Sequence, residues 1–149
     1  MGQVKNYGAP VTLTERQCLH TLRVGQLIVY ASSMGVSIKV LEWNRDIETQ
    51  KRYVSEGVSK TMDSRHIDNC ATDFVVVISG STIFVGNDSP EEHKAIYRVL
   101  GTYAESRGLR WGGRFVDRGA FKEKHGREFD SSKDLGWDCG HVESPDTLS

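Results

Sequence analysis

The chain has 149 residues, 38% of them hydrophobic and 26% charged, the size and make-up of one globular domain. Its 19 basic and 20 acidic side chains leave a net charge of −1, with no basic block for nucleic acid. The three cysteines, Cys18, Cys70 and Cys139, are odd in number and far apart, which excludes a disulfide framework and points to a reducing compartment.

Residues 1–11 read as an irregular lead-in. TLTE at 12–15 is a capping box with Thr12 as N-cap and Glu15 reaching back. Val24, Leu27, Ile28, Ala31 and Met34 follow at helical spacing, and Gly35 ends the helix. The run LIVYA at 27–31 is too short to cross a membrane, and Arg16, His20 and Arg23 precede it, so no export signal is visible. VSIKVLEW (36–43) carries apolar groups on both faces and predicts an interior strand. Asp46 caps a short helix to about Glu56, with Gly57 as its stop. Residues 58–70 are polar and loop-like. ATDFVVVIS is a second buried strand, which Gly80-Ser81 turns into TIFVG as a hairpin partner.

Ser89 then reads as an N-cap with Pro90 at the first helical position and Glu91 and Glu92 behind it. Ala95, Ile96, Val99, Leu100, Tyr103 and Ala104 form the apolar stripe of that helix, and Gly108 ends it. LRWGGRF leads into a charged, glycine-rich stretch at 114–136 without clear periodicity, read either as a lid or as a surface loop. WDCGHVE (137–143) predicts a last strand, and 144–149 a frayed tail. No repeat or second domain is visible. The expected fold class is α+β, a small antiparallel sheet packed with helices in a single domain over 1–149, with its core at about 12–143.

Of the five histidines, His20 and His93 lie on predicted helices without an acidic or histidine partner at i±4, which favours surface or capping roles. His125 falls in a charged loop. His66 and His141 differ: each flanks a predicted strand and has an aspartate nearby. His66, Asp73 and His141 together offer two imidazoles and one carboxylate, a recurrent set for catalytic zinc with one position left for water. Asp138, three residues before His141, is placed to act as a base beside such a water. Spacing alone favours the plain reading of a turn histidine, a strand-start aspartate and a cap. Cys70 and Cys139 read as small buried apolar residues, Cys139 pointing away from Asp138 in an extended chain. Trp43 and Trp137 read as core or pocket wall.

Four motifs add to this. SRHIDNCATD (64–73) resembles the S-x-H-x-x-G-x-A-x-D signature of the zinc D,D-/L,D-peptidases that degrade peptidoglycan. That group holds D-Ala-D-Ala carboxypeptidases and dipeptidases and phage L-alanyl-D-glutamate endolysins. Ser64, His66, Ala71 and Asp73 fall in register. DCGH (138–141) resembles the family's second motif, WGG (111–113) the tryptophan-glycine pair before it, and NRDIETQ (44–50) the upstream R-x4-Q, with Arg45 and Gln50 in place. The four stand in the family's order.

The resemblance implies the family's fold and a Zn ion held by His66, Asp73 and His141. It implies Asp138 as general base and then acid, Arg45 on a substrate carboxylate or the oxyanion, and Ser64 and Gln50 in substrate binding. The implied substrate is a peptidoglycan stem peptide cut next to a D-amino acid. A phage L-alanyl-D-glutamate endopeptidase endolysin is the first choice, because the chain shows one compact domain and no export signal. A D-Ala-D-Ala carboxypeptidase or dipeptidase, and a non-catalytic wall-binding or virion module, stay as alternatives. A monomer is expected, without nucleic-acid partners or membrane insertion, made in the host cytoplasm and reaching the wall with holin assistance. The pattern is broken at three places: Asn69 replaces the glycine of the first motif, Val142 replaces the aromatic after the second, and Arg114-Phe115 stands where a second tryptophan is common.

Overall fold

The computed structural model describes residues 12–43, 52, 54–57 and 70–145. Helix α1 (Leu13–Ser33) starts at the expected cap: the Thr12 hydroxyl accepts the Glu15 N–H at 3.1 Å, and the Glu15 carboxylate reaches back to accept from that hydroxyl at 3.1 Å. Gly35, with φ of 84°, takes the left-handed conformation that stops it. Its buried residues, His20, Val24, Leu27 and Ala31, recur every three or four positions.

Strand β1 (Ser37–Glu42) pairs antiparallel with β2 (Ala71–Ile78), and a bulge at Leu41 shifts the register between Val40↔Phe74 and Glu42↔Asp73. The expectation of an interior strand is corrected here. β1 is an edge strand whose residues alternate between exposed and half-buried, because its polar residues 37, 39 and 42 leave little to bury. β2 is the central strand, as its near-continuous apolar run implies. A two-residue turn at Ser79 (φ 50°) and Gly80 (φ 81°) joins it to β3 (Ser81–Ile83). Positive φ at both central residues is the type I′ geometry that matches strand twist, so the turn sits one residue earlier than expected.

Helix α2 (Glu91–Ser106) is capped by Pro90, whose carbonyl accepts the N–H groups of His93 and Lys94. Ser89 is not the N-cap; its hydroxyl accepts the Gly86 N–H instead. The buried stripe is Lys94, Tyr97, Leu100, Gly101 and Ala104, rotated from the predicted one, and Ala95 and Val99 are exposed. The cause is Gly101. A Cβ there would lie 2.1 Å from the Trp111 indole, so helix and ring meet at a glycine that an apolar count passes over.

β4 (Arg110–Trp111) and a 3₁₀ turn (Gly112–Arg114) follow. The 114–136 stretch is a fastened helix and turn. α3 (Arg118–His125) has Asp117 as N-cap and Gly126 as left-handed C-cap. Phe121 meets Phe129 edge to face at 5.2 Å. The Arg127 guanidinium grips Asp134 with two 2.7 Å hydrogen bonds, which hold that carboxyl far below its ordinary pKa. Arg114 binds Glu105 on α2 through two nitrogens, and Leu135 exchanges two hydrogen bonds with Asn87.

β5 (His141–Glu143) completes a five-stranded antiparallel sheet in the order β1-β2-β5-β4, with β3 continuing along β2 beyond β5. The predicted strand at 137–143 is shorter: 137–140 is a turn, closed by the His141 N–H on the Asp138 carbonyl at 3.1 Å. Among the described residues three helices and this sheet make the fold α+β, as expected. α1 and α2 cover one sheet face, burying Val24, Leu27, Leu100 and Ala104 against Phe74, Val76, Trp111 and Val142. Each such large side chain contributes roughly 1.5–3 kcal/mol by leaving water. No described helix is long and apolar enough to cross a membrane. Of the helix predicted from Asp46, Arg52, Val54 and Ser55 are helical, and Gly57 (φ 75°) stops it as expected.

Candidate metal centre

Strand alternation gives the sheet two unlike faces. Thr72, Phe74, Trp111 and Val142 point to the helices. Asp73 and His141 are register partners in β2 and β5, and they share the opposite face with Glu143 and Arg110, themselves partners in β5 and β4. His141 Nδ1 lies 3.0 Å from Asp73 Oδ1 and 3.7 Å from Asp138 Oδ2. One ligand atom from each of Asp73, Asp138 and His141 falls within 4.8 Å of the others. Residues 68 positions apart in sequence thus converge on one point.

Asp138 is held there by the WGG segment. The buried Trp111 donates its indole N–H to the Cys139 carbonyl at 2.8 Å. A Cβ on Gly112 would lie 2.0 Å from the Asp138 carbonyl oxygen, so only glycine lets the two backbones touch. Gly136 N–H donates to the Gly113 carbonyl at 2.6 Å, and Trp137 N–H to that of Phe115 at 2.9 Å. A Cβ on Gly140 would lie 2.2 Å from the Phe74 carbonyl oxygen, which locks the other end of the turn to β2. The motif is therefore a backbone cradle for the turn that carries Asp138 into β5.

The His141 imidazole is nearly enclosed. Its Nε2 lies 2.8 Å from Glu143 Oε1, and the Phe115 ring packs 5.5 Å away. Burial would lower its pKa; the hydrogen bonds to Asp73 and Glu143 and the charges of Asp138 and Asp73 outweigh this and raise it to about 9. Without a cation the ring is an imidazolium among three carboxylates. That donor set, a borderline nitrogen and hard oxygens facing one point, suits a divalent ion such as zinc. Two ligand atoms each about 2.1 Å from one tetrahedral zinc lie about 3.4 Å apart, so the 3.0 Å Asp73–His141 spacing needs to open by only a few tenths of an ångström.

A cleft of about 250 Å³ opens beside Asp73 and Asp138, walled by Phe74 and Tyr97, with Leu41, Phe84 and Trp137 at its rim. Trp137 is 74% and Phe84 68% exposed, apolar surface at the edge of the cleft. Trp137 is thus pocket wall.

His66, the predicted third ligand, and Arg45, Ser64 and Gln50, the predicted substrate contacts, lie outside the described residues, as does Asn69. The expectation for His20 is corrected. Far from being a surface residue, it is fully buried, with Nδ1 2.8 Å from Ser144 Oγ and Nε2 2.8 Å from Thr72 Oγ1. It ties α1 to the strand ends that carry the acidic group. Cys139 is buried, as expected, though in a turn and not a strand; burial first, and the Asp138 charge second, push its thiol up to about 11, which leaves it unreactive. Cys70 is buried too. Sequence reading missed Glu143 and Arg110. The signal was present, since a strand residue two places after His141 must share its face.

No family model matches the chain, and no curated protein matches it. Among solved structures it is similar to the crystal structure of the Serratia marcescens L-Ala D-Glu endopeptidase ChiX, with 20% identity and a TM-score of 0.48, over 74% of this chain and 68% of that one. A likeness of this size says nothing about chemistry.

Proposed function

We propose that the chain is a zinc-dependent peptidoglycan peptidase that hydrolyses a stem-peptide bond next to a D-amino acid, acting as an L-alanyl-D-glutamate endopeptidase of the phage endolysin kind. The observation that carries this reading is the convergence of Asp73, Asp138 and His141 beside a cleft that the two aspartates line. The two motifs that supply these residues are among the four the resemblance rests on.

Zinc, when bound, supplies a Lewis acid that polarises a carbonyl and makes water more acidic. Asp73 and His141 would hold it together with His66. Asp138 has a side chain 36% exposed at the cleft, unlike the enclosed His141. It takes the proton from the attacking water and delivers it to the departing amide nitrogen. Arg45 offsets the negative charge that develops on the carbonyl oxygen, and Ser64 and Gln50 contact the peptide. The apolar rim of Phe84 and Trp137 gives the peptide a surface to lie against. The peptidase unit spans the single domain 1–149, acts as a monomer, and reaches the wall from the host cytoplasm through a holin-opened membrane.

The test is mass spectrometry of fragments released from purified peptidoglycan, with and without chelator. Chelator-sensitive release of new L-Ala carboxyl and D-Glu amino ends supports the reading. Release of D-Ala alone assigns a carboxypeptidase instead. Wall binding indifferent to chelator, with no new amines, would sink the enzymatic reading altogether.

A further inference from the structure

Behind the three converging groups, on the far side of the His141 ring, lies a second layer that the proposed chemistry does not use. Glu143 Oε1 is 2.8 Å from His141 Nε2, and Glu143 Oε2 is 3.1 Å from an Arg110 guanidinium nitrogen. The two ring nitrogens of an imidazole point away from each other, so Glu143 cannot share the ion that Nδ1 faces. Its side chain is only 12% exposed. A carboxylate so enclosed is costly to keep charged unless each oxygen has a partner, and both do. Arg110 pairs with Glu143 in the β4–β5 register, and its guanidinium sits 5.7 Å over the Phe115 ring that packs on His141.

We propose that Glu143 is a positioning residue of the metal site: its carboxylate holds His141 through Nε2–H and so presents Nδ1 to the ion, with Arg110 and Phe115 fixing Glu143 and the ring in place. This rests on the metal-peptidase reading above. A neutral imidazole has one N–H and one lone pair, and the acceptor at Nε2 decides which nitrogen keeps the proton. The same carboxylate makes the ring a better donor to the ion. The dipeptide Arg110-Trp111 then serves the site from both faces of the sheet, Arg110 through Glu143 and Trp111 through the Cys139 carbonyl.

Zinc affinity of the whole chain, measured by chelator competition at constant pH, is the test. Glu143→Ala is expected to weaken binding about 10- to 100-fold. Glu143→Gln, whose amide oxygen can still accept the Nε2–H, should recover most of the loss. A residue that only supported the fold would lower the melting temperature of the metal-free protein and leave affinity alone. Equal zinc affinity in wild type and Glu143→Ala overturns this inference and leaves the proposed function standing. Wild type that binds no stoichiometric metal overturns both. Nitrogen-15 spectra of the zinc-loaded wild type do not depend on any variant folding: a proton on His141 Nε2 and none on Nδ1 is expected, and the reverse overturns the inference.

Discussion

Asp73 and Asp138 both face His141, but their surroundings assign them different tasks. Asp73 is anchored mid-strand by pairing on both sides, which suits a ligand. Asp138 sits on a turn at the cleft mouth, which suits a group that must receive and return a proton. Asp138→Asn should therefore keep the fold and zinc affinity within a few-fold, while kcat on peptidoglycan falls roughly 10²- to 10⁴-fold. A variant that loses metal and activity together would make Asp138 a ligand instead. His141 adds a pH dependence. Its folded pKa of about 9 stands above the ordinary histidine value, so in the metal-free protein its stabilising contribution is complete below about pH 6.5 and is lost as pH rises through 9. Metal binding has the opposite sign, because the ion displaces the Nδ1 proton. Denaturant unfolding of chelated protein should show lower stability at about pH 9.5 than at pH 6.5, and zinc affinity should rise over that interval. A flat stability profile would contradict the imidazolium. His20 marks the limit of sequence reading at this scale. Its partners, Thr72 and Ser144, are 52 and 124 positions away, and no local pattern announces a histidine satisfied at that distance.

Elements were legible where local chemistry decides them and were misplaced where a neighbour does. The Thr12 cap, the Gly35, Gly57 and Gly108 stops and the buried β2 follow from their own letters. β1 reads as interior because its apolar residues fall on both faces; edge or centre is settled by which strands pair with it, which sequence does not state. The α2 stripe was rotated because Gly101 presents no side chain to count, yet it is where Trp111 packs. The same reasoning explains WGG, whose second letter is a steric requirement. Gly112→Ala forces a Cβ against the Asp138 carbonyl. It should cost about 1–3 kcal/mol as an overpacked site and reduce activity beyond what the lost stability explains, since Asp138 moves with its backbone. Gly25→Ala is the control. That glycine lies within α1 with nothing near its Cβ position, so the change should stabilise by roughly 0.5–1 kcal/mol and leave activity unchanged. Thermal melts and turnover of the pair decide the matter; a silent Gly112→Ala would remove WGG from the site's construction.

At the scale of the whole molecule, the sheet divides the work. The helix-covered face contributes apolar burial, while the other brings Asp73, Asp138 and Glu143 around one imidazole. Gathering three carboxylates sets like charges against one another, and the fold sustains this through His141, Arg110 and the WGG cradle. A divalent cation where Asp73, Asp138 and His141 meet would relieve the repulsion between the two aspartates and would bind the folded chain alone, since sites 68 residues apart do not meet in an unfolded one. Mass action then sets the size of the effect. At zinc concentrations about 100-fold above Kd, linkage adds about 2.7 kcal/mol, which for a chain of this length raises Tm by roughly 5–10 °C. The rise should grow with the logarithm of zinc concentration and be reversed by chelator. It should vanish in Asp73→Ala/His141→Ala and persist in Asp138→Asn, because the base contributes to turnover more than to holding the ion. Equal shifts in wild type and the double variant would place the metal elsewhere, on groups other than those that meet at the end of β2 and β5.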